Sequence, residues 1–222
     1  IKMSQEKTIW DFPTRLFHWS LVLTVTGAAL TGFFAPDAWI TAHASFGTVV
    51  LALIIFRLVW GLVGAHYSRF SSFFYSLAEA KDYALGFLKK NPRHYLGHNP
   101  LGALMIFALL GSLIIINLSG YVVWAGEENQ GPLMGMVSKS IGDGFEDIHE
   151  FLANFLIFLI GAHLFGVWIE SKRTGENLPR FMVTGRKTTD ETVPNVGRFK
   201  SVIGTIGLVL ILGSSMYWVA GY

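Results

Sequence analysis

The chain has 222 residues, 52% hydrophobic and 14% charged, with 17 Lys and Arg against 15 Asp and Glu. A soluble domain carries about a quarter charged residues, so this composition argues against one. Cysteine is absent, which excludes disulfides, iron–sulfur ligation by this chain and any prosthetic group attached through cysteine.

The charges lie in short blocks with long uncharged windows between them. A bilayer core about 30 Å thick requires roughly 20 mainly apolar residues per spanning helix. No Asp, Glu, Lys or Arg falls between Arg15 and Asp37, Asp37 and Arg57, Arg93 and Glu127, Glu150 and Glu170, or after Lys200. Spans are therefore predicted near 15–35, 41–63, 100–124, 147–169 and 201–220. The windows are too long for strands and lack strict alternation, so they read as helices. The short polar segment before Arg15 does not read as a cleavable signal peptide.

Between spans two and three, Phe70 to Lys90 is amphipathic, with Phe73, Phe74, Leu77, Tyr83 and Leu88 among Lys and Glu. It predicts a short helix in the membrane interface. Asn91-Pro92 and Asn99-Pro100 break the helical pattern before span three. Residues 125–146 read as a long loop, and 171–199, with Pro179 and Pro194, as an irregular polar linker. No internal repeat is visible. The predicted organisation is a four-helix transmembrane domain over 1–170, a basic linker over 171–199 and a fifth transmembrane helix over 200–222.

Lysine and arginine set the orientation. The N-terminal segment carries Lys2, Lys7 and Arg15, and the loop after span two carries Arg69, Lys81, Lys89, Lys90 and Arg93. The linker carries Lys172, Arg173, Arg180, Arg186, Lys187, Arg198 and Lys200. The opposite loops carry Lys139 alone of these two types. The N-terminus and linker are thus expected in the cytoplasm and the C-terminus outside. The outer loop is acidic, with Glu127, Glu128, Asp143, Glu146, Asp147 and Glu150. It either steers a basic partner or simply avoids positive charge for topological reasons.

Four of the seven histidines, His18, His43, His149 and His163, sit in the spans or at their ends. An ionisable side chain inside a membrane is costly and usually functional. His149 and His163 are fourteen residues apart on span four, which leaves them within about 40° of one helix face and about 21 Å apart along it. Span one runs outward, so His18 lies at the inner level. Span two runs inward, so His43 lies at the outer level. The levels pair His18 with His163 and His43 with His149. Two imidazoles facing each other across a helical bundle are what a six-coordinate haem iron needs. Two donors per level are too few for zinc or copper.

Arg57 follows His43 by fourteen residues, on the same side of span two at the inner level. It either pairs with inner haem propionates or snorkels to the interface. Gly27, Gly32 and Gly111 would let a porphyrin approach the backbone, or serve only helix packing. His66, His94, His98, Arg69 and Arg93 are candidates for propionate or quinone contacts, or ordinary inner-loop residues.

The motifs WDFPTRLFHW at 10–19, HASFGTVVLALIIFRLVWGLVG at 43–64, HYLGHNPLGALM at 94–105 and IHEFLANFLIFLIGAH at 148–163 resemble the bacterial di-haem cytochrome b561 family, which includes the b-type membrane subunit of nickel–iron hydrogenases. The resemblance implies an all-α membrane protein whose four-helix bundle holds two non-covalent b haems on His18, His43, His149 and His163. It implies electron transfer in a respiratory chain of the bacterial inner membrane, between membrane quinone and a periplasmic partner such as a c-type cytochrome, hydrogenase or other dehydrogenase. The fifth helix departs from many members and leaves the partner, and a homodimer or larger complex, open. An electron-transfer subunit is the leading expectation. A self-sufficient quinone oxidoreductase such as a superoxide oxidase would need a positive outer entry site, and a proton or metal transporter would need a polar mid-membrane lining. No nucleic-acid partner is expected.

Overall fold

The computed structural model describes residues 5–34, 39–89, 93–194 and 197–220. Five of its helices are long and apolar enough to cross a membrane: α1 (Phe12–Phe34), α2 (Ile40–Val63), α4 (Pro100–Glu127), α5 (Lys139–Thr174) and α7 (Arg198–Ala220). They expose Leu23, Leu62, Phe158 and Leu210 among many large apolar side chains. Such a surface belongs in lipid, and the chain is an integral membrane protein. The other elements among the described residues are two short helices, α3 (Leu77–Leu88) and α6 (Leu178–Thr184), two strands, β1 (Gln5–Thr8) and β2 (Arg186–Thr189), and two single 3-10 turns at His66–Ser68 and Phe70–Ser72.

The helix starts follow from capping chemistry. Asp11 precedes α1, and its Oδ1 accepts the Thr14 backbone N–H at 3.1 Å, with Pro13 in the first turn, where a missing N–H costs nothing. Asn99 caps α4 by accepting from the Gly102 N–H at 2.7 Å, and Pro100 is the first helical residue. Asn99-Pro100 thus starts this helix. Ser76 and Glu79 form a reciprocal capping box on α3.

Two predicted loops are partly regular. The helix carrying His149 begins at Lys139 rather than 147, so Asp143 and Glu146 are helical. The end of α4 and the start of α5 meet at paired glycines: a Cβ on Gly126 would lie 2.6 Å from the Gly142 Cα. In the linker, α6 and β2 replace the irregular chain that was expected. β2 pairs antiparallel with β1, Gln5 opposite Thr189 and Thr8 opposite Arg186. Between α6 and β2, Gly185 has φ +78°, a conformation that suits glycine. Its carbonyl accepts the Ile9 and Trp10 N–H groups at 2.9 and 3.1 Å.

The chain divides into two compact units. The first comprises 1–18, 56–107 and 161–208, and the second 19–55, 108–160 and 209–222. Helices α1, α4 and α7 begin in the first unit and end in the second, while α2 and α5 run the other way. This is the alternation expected of successive spans.

The second unit packs four helices around one apolar core. Val50 and Ile54 of α2, Leu113 of α4 and Leu156 of α5 are buried there, with Leu21 and Val25 of α1 against them. The first unit has a polar hub. Asp11 is fully buried; besides capping α1 it accepts from Trp60 Nε1 at 2.9 Å and Ser68 Oγ at 3.1 Å. Tyr83 of α3 donates to Glu170 of α5 at 2.6 Å. Burial and that carboxylate both push the phenol above its ordinary value.

The linker is pinned by one ion-pair network. Lys187, only 4% exposed, donates to Glu176 at 2.7 Å, and His94 Nε2 lies 3.0 Å from the same carboxylate. Burial alone would raise the Glu176 carboxyl, but Lys187 and His94 outweigh it and hold it below the ordinary carboxylate range. The stability this group adds is therefore complete above the unfolded carboxyl pKa and drains as pH falls through the folded one. Glu176→Gln leaves a buried ammonium without its carboxylate and should cost about 3 kcal/mol at neutral pH. Unfolding of the detergent-purified protein across pH should show wild type and variant converging in acid.

Candidate functional site

The division of the chain sorts the four span histidines into the two predicted pairs: His18 and His163 fall in the first unit, His43 and His149 in the second. All four are partly buried.

In the second unit the rings of His43, from α2, and His149, from α5, lie 6.0 Å apart between centres and are inclined at 83°. Each is fixed from behind. His43 Nδ1 donates to the Ala28 carbonyl on α1 at 2.9 Å. His149 Nδ1 lies 3.1 Å from both the Ile116 carbonyl and Ser119 Oγ on α4. A carbonyl can only accept, so each Nδ1 carries the proton and each Nε2 keeps its lone pair. A bond from one ring nitrogen to a backbone carbonyl is the usual way of orienting a metal-binding imidazole. A metal bridging two imidazoles through bonds of about 2 Å holds the ring centres roughly 6 Å apart, and the observed separation fits.

Glycines make room for these rings. A Cβ on Gly32 would sit 2.9 Å from His43 Cε1, and one on Gly120 would sit 2.8 Å from His149 Cε1. Gly32 was legible in the sequence as a small residue; Gly120 was passed over in favour of Gly111, around which there is open space. Gly27 accommodates Phe46 rather than a histidine. The Ala28 and Ile116 carbonyls left no sequence signal, because any residue supplies one.

In the first unit His18 and His163 lie within electrostatic range of each other. Arg57 is 4% exposed, so it does not snorkel to solvent. Its Nη1 donates to the Ser68 carbonyl at 3.0 Å, its guanidinium lies 4.6 Å from the centre of the Phe70 ring, and Asp11 lies within electrostatic range. His98 packs between Trp10 and Phe73, each ring centre 4.5 Å away. Burial first, then Arg57 and Lys187, push His98 down to about 3, so it is neutral at physiological pH. Its Nδ1 is sealed from solvent with no hydrogen-bond partner among the described residues. His94 belongs to the Glu176 network, His66 lies 3.4 Å from Arg69, and Arg93 lies over Tyr95. These contacts all lie within the first unit.

Glu127, Glu128, Asp143, Glu146, Asp147 and Glu150 all lie in the second unit. Glu127, at the end of α4, lies within electrostatic range of Asp143 and Glu146 on the first turns of α5, and of Glu128.

A family model described as Prokaryotic cytochrome b561 matches residues 9–185. Among similar proteins, one from Azotobacter chroococcum mcd 1 is 28% identical over 64% of this chain and 70% of its own length. Others from Azotobacter vinelandii and Cupriavidus necator are 24% and 26% identical, covering 84% and 81% of this chain and 90% and 86% of their own. All three bear the name probable Ni/Fe-hydrogenase B-type cytochrome subunit.

The hydrogen bonds predict a tautomer. Nitrogen NMR of histidine-labelled protein should place the proton on Nδ1 at His43 and His149; a proton on Nε2 of either would contradict the arrangement.

Proposed function

The chain belongs to the prokaryotic cytochrome b561 family of membrane electron-transfer proteins that carry b haem, and on that footing we propose that it holds two b haems and passes electrons across the inner membrane. The donor and acceptor are the quinone pool and a redox partner on the periplasmic side. The observation that carries the reading is the His43–His149 separation of 6.0 Å, with both Nδ1 atoms committed to carbonyls.

Two imidazoles offer two donors, which suit a macrocycle bringing four nitrogens of its own better than a bare ion. His43 and His149 would hold one haem at the outer level, and His18 and His163 the other at the inner. When bound, a haem would supply a one-electron couple at each histidine pair. The protein contributes ring orientation through the Ala28 and Ile116 carbonyls and room through Gly32 and Gly120. It also excludes water with the apolar core of the second unit. At the inner level Arg57 keeps donors beyond its single bond to Ser68, and these suit haem propionates. His98 adds a neutral imidazole near His163.

Charge supports the direction and the docking face. The basic segments support an orientation with the N-terminus in the cytoplasm and the C-terminus in the periplasm. The acidic cluster of Glu127, Asp143 and Glu146 then faces the periplasm, where it would steer a partner such as a c-type cytochrome, a hydrogenase or another dehydrogenase. The names of the similar proteins favour a hydrogenase.

Haem quantified per chain, with the dithionite-reduced minus oxidised spectrum, tests the core of the reading. Two b haems are expected in the wild type, and one each in His43→Ala and His18→Ala. No haem, or no loss in either variant, would sink it. Docking is tested separately: replacing Asp143, Glu146, Asp147 and Glu150 by their amides should slow exchange with the partner about tenfold at low salt. The haem spectrum should be unchanged.

A further inference from the structure

The first unit contains a cavity of about 540 Å³, lined by Lys7 of β1, Phe12 and Arg15 from the start of α1, Val193 of the linker, and Arg198 and Ser201 from the start of α7. Three cations from three separate elements converge on it. None is in an ion pair among the described residues. Lys7 Nζ donates to the Glu191 carbonyl and Arg15 Nη1 to the Val183 carbonyl. Both bonds position the charge without neutralising it. Arg15 Nε is sealed from water with no hydrogen-bond partner among the described residues, and Arg186 is a further cation within electrostatic range of Arg15. Asp11 also borders the cavity and its charge acts on Arg15, but one carboxylate against Lys7, Arg15 and Arg198 leaves the lining net positive, and its two oxygens are already bonded to Thr14, Trp60 and Ser68.

Like charges held together in a partly enclosed space repel, and an anion with several oxygens relieves that repulsion. The location narrows the anion. The cavity lies at the first turns of two spanning helices, the depth of lipid headgroups. Phe12 is 47% exposed on α1, and Phe199 and Val202 are 77% and 52% exposed on α7. A cationic pocket flanked by exposed apolar side chains matches a phosphate with acyl chains attached. We propose that this cavity binds the headgroup of an anionic phospholipid, with its phosphate among Lys7, Arg15 and Arg198. A zwitterionic lipid would bring its own ammonium into the cation cluster and is disfavoured. The site gives the fifth helix a role, since α7 supplies Arg198 and takes no part in the histidine pairs.

The test is native mass spectrometry of the full chain in neutral detergent, titrated with phosphatidylglycerol, phosphatidylcholine or inorganic phosphate. One phosphatidylglycerol should bind saturably and phosphatidylcholine should not. Lys7→Gln and Arg198→Gln should each weaken binding about fivefold, and Arg198→Lys should largely restore it. Haem absorbance reports that the variants are intact. Arg15 is left unaltered because it also ties α1 to the linker. A Lys7→Gln, Arg198→Gln double variant that binds as tightly as wild type would overturn the proposal, as would equal binding of phosphatidylcholine. Displacement of the lipid by millimolar inorganic phosphate would overturn it in favour of a free-anion site.

Discussion

A helix carbonyl has two lone pairs, and in the second unit the Ala28 and Ile116 carbonyls each spend one on an imidazole from a neighbouring helix. In an apolar surrounding an unpaired imidazole N–H would cost several kcal/mol, so these bonds fix ring, tautomer and helix packing together. His43 ties α2 to α1, and His149 ties α5 to α4. The unprotonated Nε2 atoms that this tautomer leaves, the need for glycine at 32 and 120, and the close packing of Val50, Leu113 and Leu156 are consistent with that constraint. A ring free to turn would put its lone pair nowhere useful.

The first unit meets its polar demands differently. There buried carboxylates as well as backbone carbonyls supply the acceptors. Asp11 serves as helix cap and as acceptor for Trp60 and Ser68, and its charge offsets that of buried Arg57. Around this hub the basic linker is folded onto the N-terminal strand by the β1–β2 ladder and the Lys187–Glu176 pair. The unit holding His18 and His163 is thus rich in fixed positive charge, while the unit holding His43 and His149 carries the acidic cluster. Charge asymmetry of this kind biases orientation during membrane insertion, and under the proposed function it would also bias what docks on each face.

Several elements show where sequence reading stopped. The five spans were legible because lipid tolerates few charges, and Asp37, Glu127 and Glu170 lie near their limits. The same rule misplaced the start of α5. Hydropathy reports contact with lipid, whereas the helix continues through Asp143 and Glu146 because Gly142 packs on Gly126. The β1–β2 pair joins segments about 180 residues apart in the chain, and no local pattern announces such pairing. Arg57 was ambiguous between burial and snorkelling until Ser68 and Phe70 were seen to enclose it.

The sequence by itself determined the membrane class, the number of spans, their alternating direction and the grouping of His18 with His163 and His43 with His149. These follow from charge distribution and helical periodicity, which are one-dimensional properties. Tertiary structure alone decided the 6.0 Å separation of the His43 and His149 rings, the carbonyls that orient them and the glycines that admit them. It alone brought Lys7, Arg15 and Arg198 to one cavity. Each of those depends on how closely two or three distant segments approach. That distance is set by the fit of their side chains, which no single stretch of sequence contains.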